Sequence, residues 1–243
     1  MLVAKRVVDI KSCRDGFRMP VFGIGTWLMG GTTVHDPEND DERDIGAIRR
    51  AIDAGIYHID TAEMYAKGYA EQLVGEAIRS YSRENLFLVS KVMPHNLRYE
   101  DVLLSAKKTL ERMKTDYLDL YLIHKPNPAI PLEETMGAMD ELVRFIGVSN
   151  FSTERTIKAN LLSKHKIRAT QVHYNLIYRE PEIDGLLHYC QENDLLLIAW
   201  RPIQQGIISR NHSDIMLKMC HKYQKTPAQI AINWLISQPN VVT

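Results

Sequence analysis

Short runs of nearly unbroken apolar residues alternate along this chain with longer stretches whose apolar positions recur at helical spacing. The apolar runs are PVFGIGTW (20–27), YHID (57–60), LFLVSK (86–91), DYLDLYLIH (116–124), RFIGVSN (144–150), ATQVHYN (169–175), LLLIAWRP (195–202) and NVVT (240–243). Between them lie ERDIGAIRRAIDAG, EQLVGEAIRS, YEDVLLSAKKTLERMK, PLEETMGAMDELV, TERTIKANLLS, EIDGLLHYCQEN and TPAQIAINWLISQ. A continuous apolar run fits a strand buried on both faces, and the helical period fits an amphipathic helix covering it. The repeated β, α order predicts an α/β fold, and eight strand candidates favour a (β/α)8 TIM barrel over a doubly wound sheet. Ahead of the series, VVDIKSCRDGFRMP carries a D-G turn between alternating residues, which predicts a β-hairpin that could plug the bottom of the barrel.

A chain of 243 residues suits a single barrel, and no Pro/Gly/Ser-rich linker interrupts it, so residues 1–243 are expected to form one domain. The sequence reaches Thr243 within or just after the eighth strand. The carboxyl-terminal end of a full barrel, with its eighth helix, is therefore expected to be absent from it. The passage DELVRFIG also leaves almost no loop between the fourth helix and the fifth strand.

Thirty basic residues balance thirty acidic ones, with no Lys/Arg block. No net field recruits nucleic acid or an anionic membrane, and a small-molecule partner is expected. Cys13, Cys190 and Cys220 are odd in number and isolated, which suits free thiols in a reducing compartment. The opening MLVAKRVVDIKSCRDG has no signal-peptide core, and no stretch approaches the roughly 20 apolar residues of a membrane span. The expectation is a cytoplasmic protein, monomeric or weakly dimeric.

In a parallel barrel, residues ending the strands gather at one rim. Asp60 ends YHID, Lys91 ends LFLVSK and His124 ends DLYLIH, while Tyr65 follows Asp60 on the next loop. Further round, GVSN presents Ser149 and Asn150, ATQVHYN presents Gln171, and IAWRP presents Trp200 and Arg201. A phenol titrates too high to give up its proton easily at neutral pH, but an adjacent ammonium stabilises the phenolate and lowers its pKa. Lys91 could supply that charge, Asp60 could hold Lys91, and His124 could donate a hydrogen bond to an oxygen where negative charge develops. The set suits protonation of a carbonyl oxygen. It does not suit acyl hydrolysis, since no Ser or Cys stands in a G-x-S-x-G context. Each residue alone has a plainer reading: a strand-end cap, a packing tyrosine, a solvated lysine, or, for Ser149 and Asn150, caps of the helix beginning near STERT. Their joint placement at one rim favours chemistry.

These motifs, in the order GIGTW, HIDTAEMY, SKV, LYLIHKP, IGVSNF, AWRP and TPAQIAINWLI, resemble those of the aldo-keto reductase family, prokaryotic type, over nearly the whole chain. The resemblance implies an NAD(P)H-dependent oxidoreductase that reduces aldehydes or ketones, with Asp60, Tyr65, Lys91 and His124 as catalytic residues and Tyr65 as the proton donor. It implies NADP(H), less readily NAD(H), held by Thr26, Asp60, Ser149, Asn150, Gln171, Trp200 and Arg201, with Trp200 stacked on the nicotinamide. Trp27, Tyr65, His124 and Lys125 would line the substrate pocket. Lys125 stands where many members carry an aromatic residue, Trp200–Arg201 where Tyr-Ser is common, and the segment after strand eight with its adenosine-phosphate contacts has no counterpart here. The alternative is a non-catalytic, cofactor-binding regulatory or interaction subunit on the same fold. GIGTWLMGG fails the G-x-G-x-x-G pattern at Leu28, and His35, His58, His95, His165, His173, His188, His212 and His221 show no metal-ligand spacing, so no metal is expected.

Overall fold

The computed structural model describes residues 9–142, 145–210 and 213–243. A hairpin of β1 (Ile10–Ser12) and β2 (Arg18–Pro20) opens the chain. Then come β3 (Gly23–Gly25), α1 (Asp41–Asp53), β4 (His58–Asp60), α2 (Tyr69–Ile78), β5 (Phe87–Val92), α3 (Tyr99–Met113), β6 (Leu120–Ile123) and α4 (Leu132–Leu142). The second half runs β7 (Ile146–Ser149), α5 (Thr153–Leu162), β8 (Ala169–His173), α6 (Glu180–Ile183), α7 (Leu186–Glu192), β9 (Leu196–Trp200), α8 (Asp214–Tyr223), α9 (Pro227–Ser237) and β10 (Val241–Val242). From β3 to β10 every strand pairs in parallel with the next in sequence. The ends of the sheet meet at Thr243, whose N–H donates to Val21 O (2.9 Å) and whose carbonyl accepts from Gly23 N (2.8 Å). The expected (β/α)8 barrel is present; the tight passage expected at 143–144 lies outside the described residues.

Why the strands read as unbroken apolar runs is visible in their registers. Side chains alternate across a strand, and both faces are covered. Leu120 and Leu122 of β6, Leu196 and Ile198 of β9, Val89, Ala169 and Val242 form one cluster inside the barrel. Tyr121, Ile123, Leu197, Ala199, Leu88 and Val148 belong to a second cluster, shared with the helices. Where two strands crowd, the inward residue is glycine: a Cβ on Gly147 would lie 2.4 Å from Ala169 O and 2.7 Å from Leu122 Cδ2.

The hairpin plugs the barrel floor as expected. Gly16 adopts φ +92° in its turn, and Phe17 and Met19, both wholly buried, join the interior cluster. The Phe17 ring lies 4.8 Å from that of Phe145 and 6.0 Å from that of Phe87. Lys11 ties the hairpin to the far end of the chain, donating to Ile236 O, Gln238 O and Val241 O around the end of α9. Outside the barrel, Glu71 of α2 is wholly buried and is matched by Arg112 of α3 (2.6 Å) and Ser90 of β5 (2.5 Å).

Two elements differ from the pattern read in the sequence. The single helix expected over 182–193 is split into α6 and α7 by Gly185, at φ +80°. Residues 214–223 form α8, which the reading of the sequence did not include: Met216, Met219, Cys220 and Tyr223 stand at helical spacing, but the helix is an addition to the simple β, α alternation and buries only Met216. Helix α9, which was expected, starts at a capping box between Thr226 and Gln229 with Pro227 in its first turn. No helix among the described residues is long and apolar enough to cross a membrane.

If Phe17 is the floor of the core, Phe17→Ala should destabilise the fold by about 3–5 kcal/mol, the usual cost of emptying a buried aromatic site. Urea unfolding of both proteins checks this, and a loss below about 1 kcal/mol would mean the hairpin only lies against the barrel.

Candidate active site

The inward rows carry the apolar interior upward and end in polar groups. Val89 is followed on the same face by Lys91, Leu122 by His124, Gly147 by Ser149, Ala169 by Gln171, Ile198 by Trp200, and His58 by Asp60. The period of two therefore delivers six polar or aromatic side chains to one end of the barrel.

At the centre is a lysine with no exposed surface. Lys91 Nζ donates to Asp60 Oδ1 at 2.5 Å and to Thr61 O at 2.8 Å, and lies 3.3 Å from the hydroxyl of Tyr65, so its three protons are all used. The second oxygen of Asp60 accepts from Gln171 Nε2 at 2.8 Å. Burial disfavours the Lys91 ammonium, but Asp60 and Tyr65 together outweigh it and hold its pKa above the ordinary value.

Around this group stand three rings edge to face. Trp27 and Tyr65 have centroids 5.0 Å apart, and Tyr65 and His124 5.6 Å apart. Burial, then Lys91 and the weaker charge of Lys125, push the His124 pKa down to about 3 against the opposing pull of Asp60, so its imidazole is neutral and one ring nitrogen carries a proton it can donate. The expectation that the phenol pKa is depressed needs correcting in its net sign. Lys91 does pull the Tyr65 pKa down, but burial is the larger influence, Asp60 adds to it, and the phenol lies above its ordinary value. The hydroxyl is thus protonated throughout the neutral range.

Asn150 stands in the left-handed region (φ +59°) and donates from Nδ2 to His124 O (2.8 Å) and Ser149 Oγ (2.9 Å). Neither Ser149 nor Asn150 caps α5; that role falls to Ser152, which accepts from Arg155 N. Thr26 is wholly buried, and both its N–H and its hydroxyl donate to Asp60 O, at 2.9 and 3.1 Å. It is absent from the cavity wall and holds the end of β4 in place.

A cavity of about 390 Å³ opens over these groups. Its wall includes Trp27, Asp60, Tyr65, His124, Lys125, Ser149, Asn150, Gln171, Trp200 and Arg201, which are the expected site residues apart from Thr26 and the more deeply buried Lys91. Trp200 is backed on one face by His173 (centroids 4.4 Å, planes 10° apart), itself stacked on Tyr178 (4.1 Å, 15°). The sequence reading left out His173 and Tyr178; their spacing in the β8 loop gives no signal of a stack. It also left out His58, which lies on the cavity floor with its ring against Gly23, where a Cβ would sit 2.2 Å from Nδ1. A larger, mostly apolar groove of about 1010 Å³ runs along α8 and α9 past Leu176, Met216 and Trp234, but it contains none of the titratable site groups. Among the described residues no group of His, Cys, Asp and Glu is placed to hold a metal ion.

The donor set suits a nicotinamide. Asn150 and Gln171 bring amides and Ser149 a hydroxyl to one side of the cavity, while Trp200, with its buried indole N–H lacking a partner, brings a flat ring.

Comparison with known proteins adds to this geometry. The family model described as the aldo/keto reductase family matches residues 21–243. Methylglyoxal reductase YeaE of Escherichia coli is 35% identical over 233 residues, covering 92% of this chain and 79% of that protein. Glyoxal reductase of Bacillus subtilis is 33% identical over 242 residues, covering 97% and 81%. Among solved structures, the thermostable aldo-keto reductase Tm1743 in complex with the inhibitor epalrestat matches with a TM-score of 0.92 at 44% identity, covering 96% of this chain and 87% of that one. An aldo/keto reductase from Klebsiella pneumoniae in complex with NADP and acetate matches with a TM-score of 0.83 at 37% identity, covering 95% and 82%.

His58 has a consequence for stability. Both its ring nitrogens are buried without partners, and burial, the main cause, holds its pKa down to about 4. Between pH 6.5 and 4 the unfolded chain binds a proton that the folded one refuses, so stability is complete above pH 6.5 and falls as the pH drops through that window. The loss from this one group reaches about 3 kcal/mol. Urea unfolding at pH 7.5 and pH 4.5 should therefore show a loss about 2–3 kcal/mol smaller in His58→Leu than in the unmodified protein. Equal losses would show that His58 is not the titrating group.

Proposed function

Because the chain belongs to the aldo/keto reductase family, we propose that it is an NADP(H)-dependent reductase of small aldehydes or ketones, with Tyr65 as the group that protonates the carbonyl oxygen. The observation that carries this is the Asp60–Lys91–Tyr65 chain, in which a buried ammonium is anchored at one end and reaches the phenol at the other. We read residues 1–243 as one barrel domain and the 390 Å³ cavity as its site.

A bound reduced nicotinamide supplies the hydride. Everything else falls to side chains of this chain. Tyr65 gives its hydroxyl proton to the carbonyl oxygen as negative charge grows there, and Lys91, 3.3 Å from that hydroxyl, stabilises the phenolate left behind. The burial that raises the phenol pKa keeps the proton in place until a substrate oxygen arrives, and the ammonium makes its release affordable at that moment. Asp60 keeps Lys91 charged and oriented. Neutral His124 donates a hydrogen bond to the same oxygen and fixes its position beneath Trp27. Ser149, Asn150 and Gln171 hold the carboxamide, and the Trp200 face left open by His173 receives the ring.

The names of the relatives support small carbonyl substrates, since two of them are reductases of methylglyoxal and glyoxal. The rival reading, a non-catalytic subunit, has no observation in its favour once the four residues stand in reach of one another. For setting, three cysteines without disulfide partners suit a reducing cytoplasm, and we read the protein as a monomer or weak homodimer with no nucleic-acid partner.

The decisive substitution is Tyr65→Phe, which keeps the ring and removes the acid. Reduction of methylglyoxal, followed by loss of NADPH absorbance, should slow by roughly 10²- to 10⁴-fold while the NADPH dissociation constant stays within about twofold. A variant keeping half its turnover would end this assignment.

A second measurement addresses the choice of cofactor. Arg201 is exposed on the cavity wall with its guanidinium 5.1 Å from the Trp200 ring centre, and we assign it to the adenosine phosphate that NADP(H) carries and NAD(H) lacks. Arg201→Ala should weaken NADPH binding by roughly five- to twentyfold and NADH binding by much less. If the unmodified protein binds both equally, the preference for NADP(H) has no support.

A further inference from the structure

The electrostatics of the cavity mouth go further than the reaction. Asp60 is the single acidic side chain on the wall, and both its oxygens are engaged, one by Lys91 and the other by Gln171. Lys125 and Arg201, by contrast, are exposed on the wall, and neither has an ion-pair partner among the described residues. The two histidines of the wall, His58 and His124, are neutral at pH 7. The site is thus a pocket with apolar sides, from Ile24, Trp27, Met64, Ile198 and Pro202, and with cationic charge at its mouth that no ion pair among the described residues neutralises.

The two cations stand on different strand ends. Arg201 follows Trp200 and its guanidinium lies over that ring. Lys125 follows His124, on the side where the Trp27, Tyr65 and His124 rings stand edge to face. An amine at that place gives a neutral carbonyl compound nothing, whereas a negatively charged group a few atoms from the carbonyl would meet it as the carbonyl oxygen reaches Tyr65 and His124.

Resting on the reductase reading above, we propose that Lys125 selects substrates that carry a carboxylate, so that the preferred substrates are short aldehydes or ketones of the oxo-acid class. The carboxylate binds at the mouth to the Lys125 ammonium, and the carbonyl points inward to Tyr65. Positively charged carbonyl compounds are turned away by the same charge.

The test compares 4-carboxybenzaldehyde with its uncharged methyl ester, methyl 4-formylbenzoate, under NADPH. The readout is the ratio of kcat/KM for acid over ester, which cancels general damage to the site. In the unmodified protein the ratio should exceed one by about five- to tenfold at low salt and shrink as salt is raised, as expected of a partly exposed charge pair. Lys125→Gln should bring the ratio close to one, mainly through KM for the acid, and Lys125→Glu should push it below one. Reduction of the ester with a ratio near one in the unmodified protein overturns the proposal and leaves the reductase reading intact. A ratio unchanged by Lys125→Gln overturns it too, as does a ratio lost in Arg201→Gln but kept in Lys125→Gln. If neither aldehyde is reduced while methylglyoxal is, the selection by carboxylate falls alone; if none of the three is reduced, the reductase reading falls with it.

Discussion

A lysine ammonium with no exposed surface is the constraint around which this molecule is organised. Removing such a charge from water costs several kcal/mol even after relaxation, so every proton it carries must find an acceptor. Lys91 on β5 finds them in Asp60 and Thr61 of the β4 end and in Tyr65 of the loop beyond. Asp60 in turn needs its second oxygen satisfied, and Gln171 on β8 reaches across the barrel to do so, while Thr26 beyond β3 fixes the backbone carbonyl of the same residue. Four strands are thereby tied at one level. Deleting either charge would strand the other in the interior, at a cost of about 3–5 kcal/mol. The groups proposed for the chemistry and those that make the rim rigid are therefore the same, and the two roles cannot be separated by point substitution at Asp60 or Lys91.

Access to a cavity, not depth of burial, distinguishes this pair from another buried ion pair in the fold. Glu71 and Arg112 meet behind the sheet, where α2 and α3 pack on β5, and their partners are Ser90 and Thr109. None of these four residues lines the 390 Å³ cavity or the 1010 Å³ groove. The 1010 Å³ groove along α8 and α9 is spacious but nearly devoid of titratable groups, whereas the 390 Å³ cavity is smaller and contains the rim. Volume alone would have pointed away from the proposed site.

The barrel and its rim were legible because both follow from a period of two. Apolar residues at alternate positions of β5, β6, β8 and β9 fill the interior, and continuing the count by two lands on Lys91, His124, Gln171 and Trp200 without any knowledge of contacts. Features fixed by long-range packing left no such trace. Helix α8 has apolar residues at helical spacing, Met216, Met219, Cys220 and Tyr223, but buries only the first of them and covers no strand in the β, α alternation from which the fold was read. The break between α6 and α7 depends on a single glycine adopting a positive φ. For Ser149 and Asn150, expected as cofactor contacts, capping of α5 was the plainer alternative, and residue type alone could not show that Ser152 holds that place. The sign of the Tyr65 shift could not be read because the depth of burial, which outweighs Lys91, is a property of the folded barrel rather than of any local pattern. The stack of Tyr178, His173 and Trp200 joins two strands' loops and is equally invisible along the chain.

All the strand pairings but one join neighbours in sequence; the exception is the seam where Thr243 meets Val21 and Gly23. Loop-closure entropy makes a contact between such distant segments slow to form. Until it closes, β3 and β10 are both edges with bare amides, open to pairing with another chain. The seam also adjoins the rim: Gly23 bonds to Thr243, and Thr26, just beyond Gly25, holds the carbonyl of Asp60. Breathing of the seam would therefore loosen the anchor of the buried ammonium from behind, so amide exchange at Gly23 and Thr243 reports on how long the rim stays assembled.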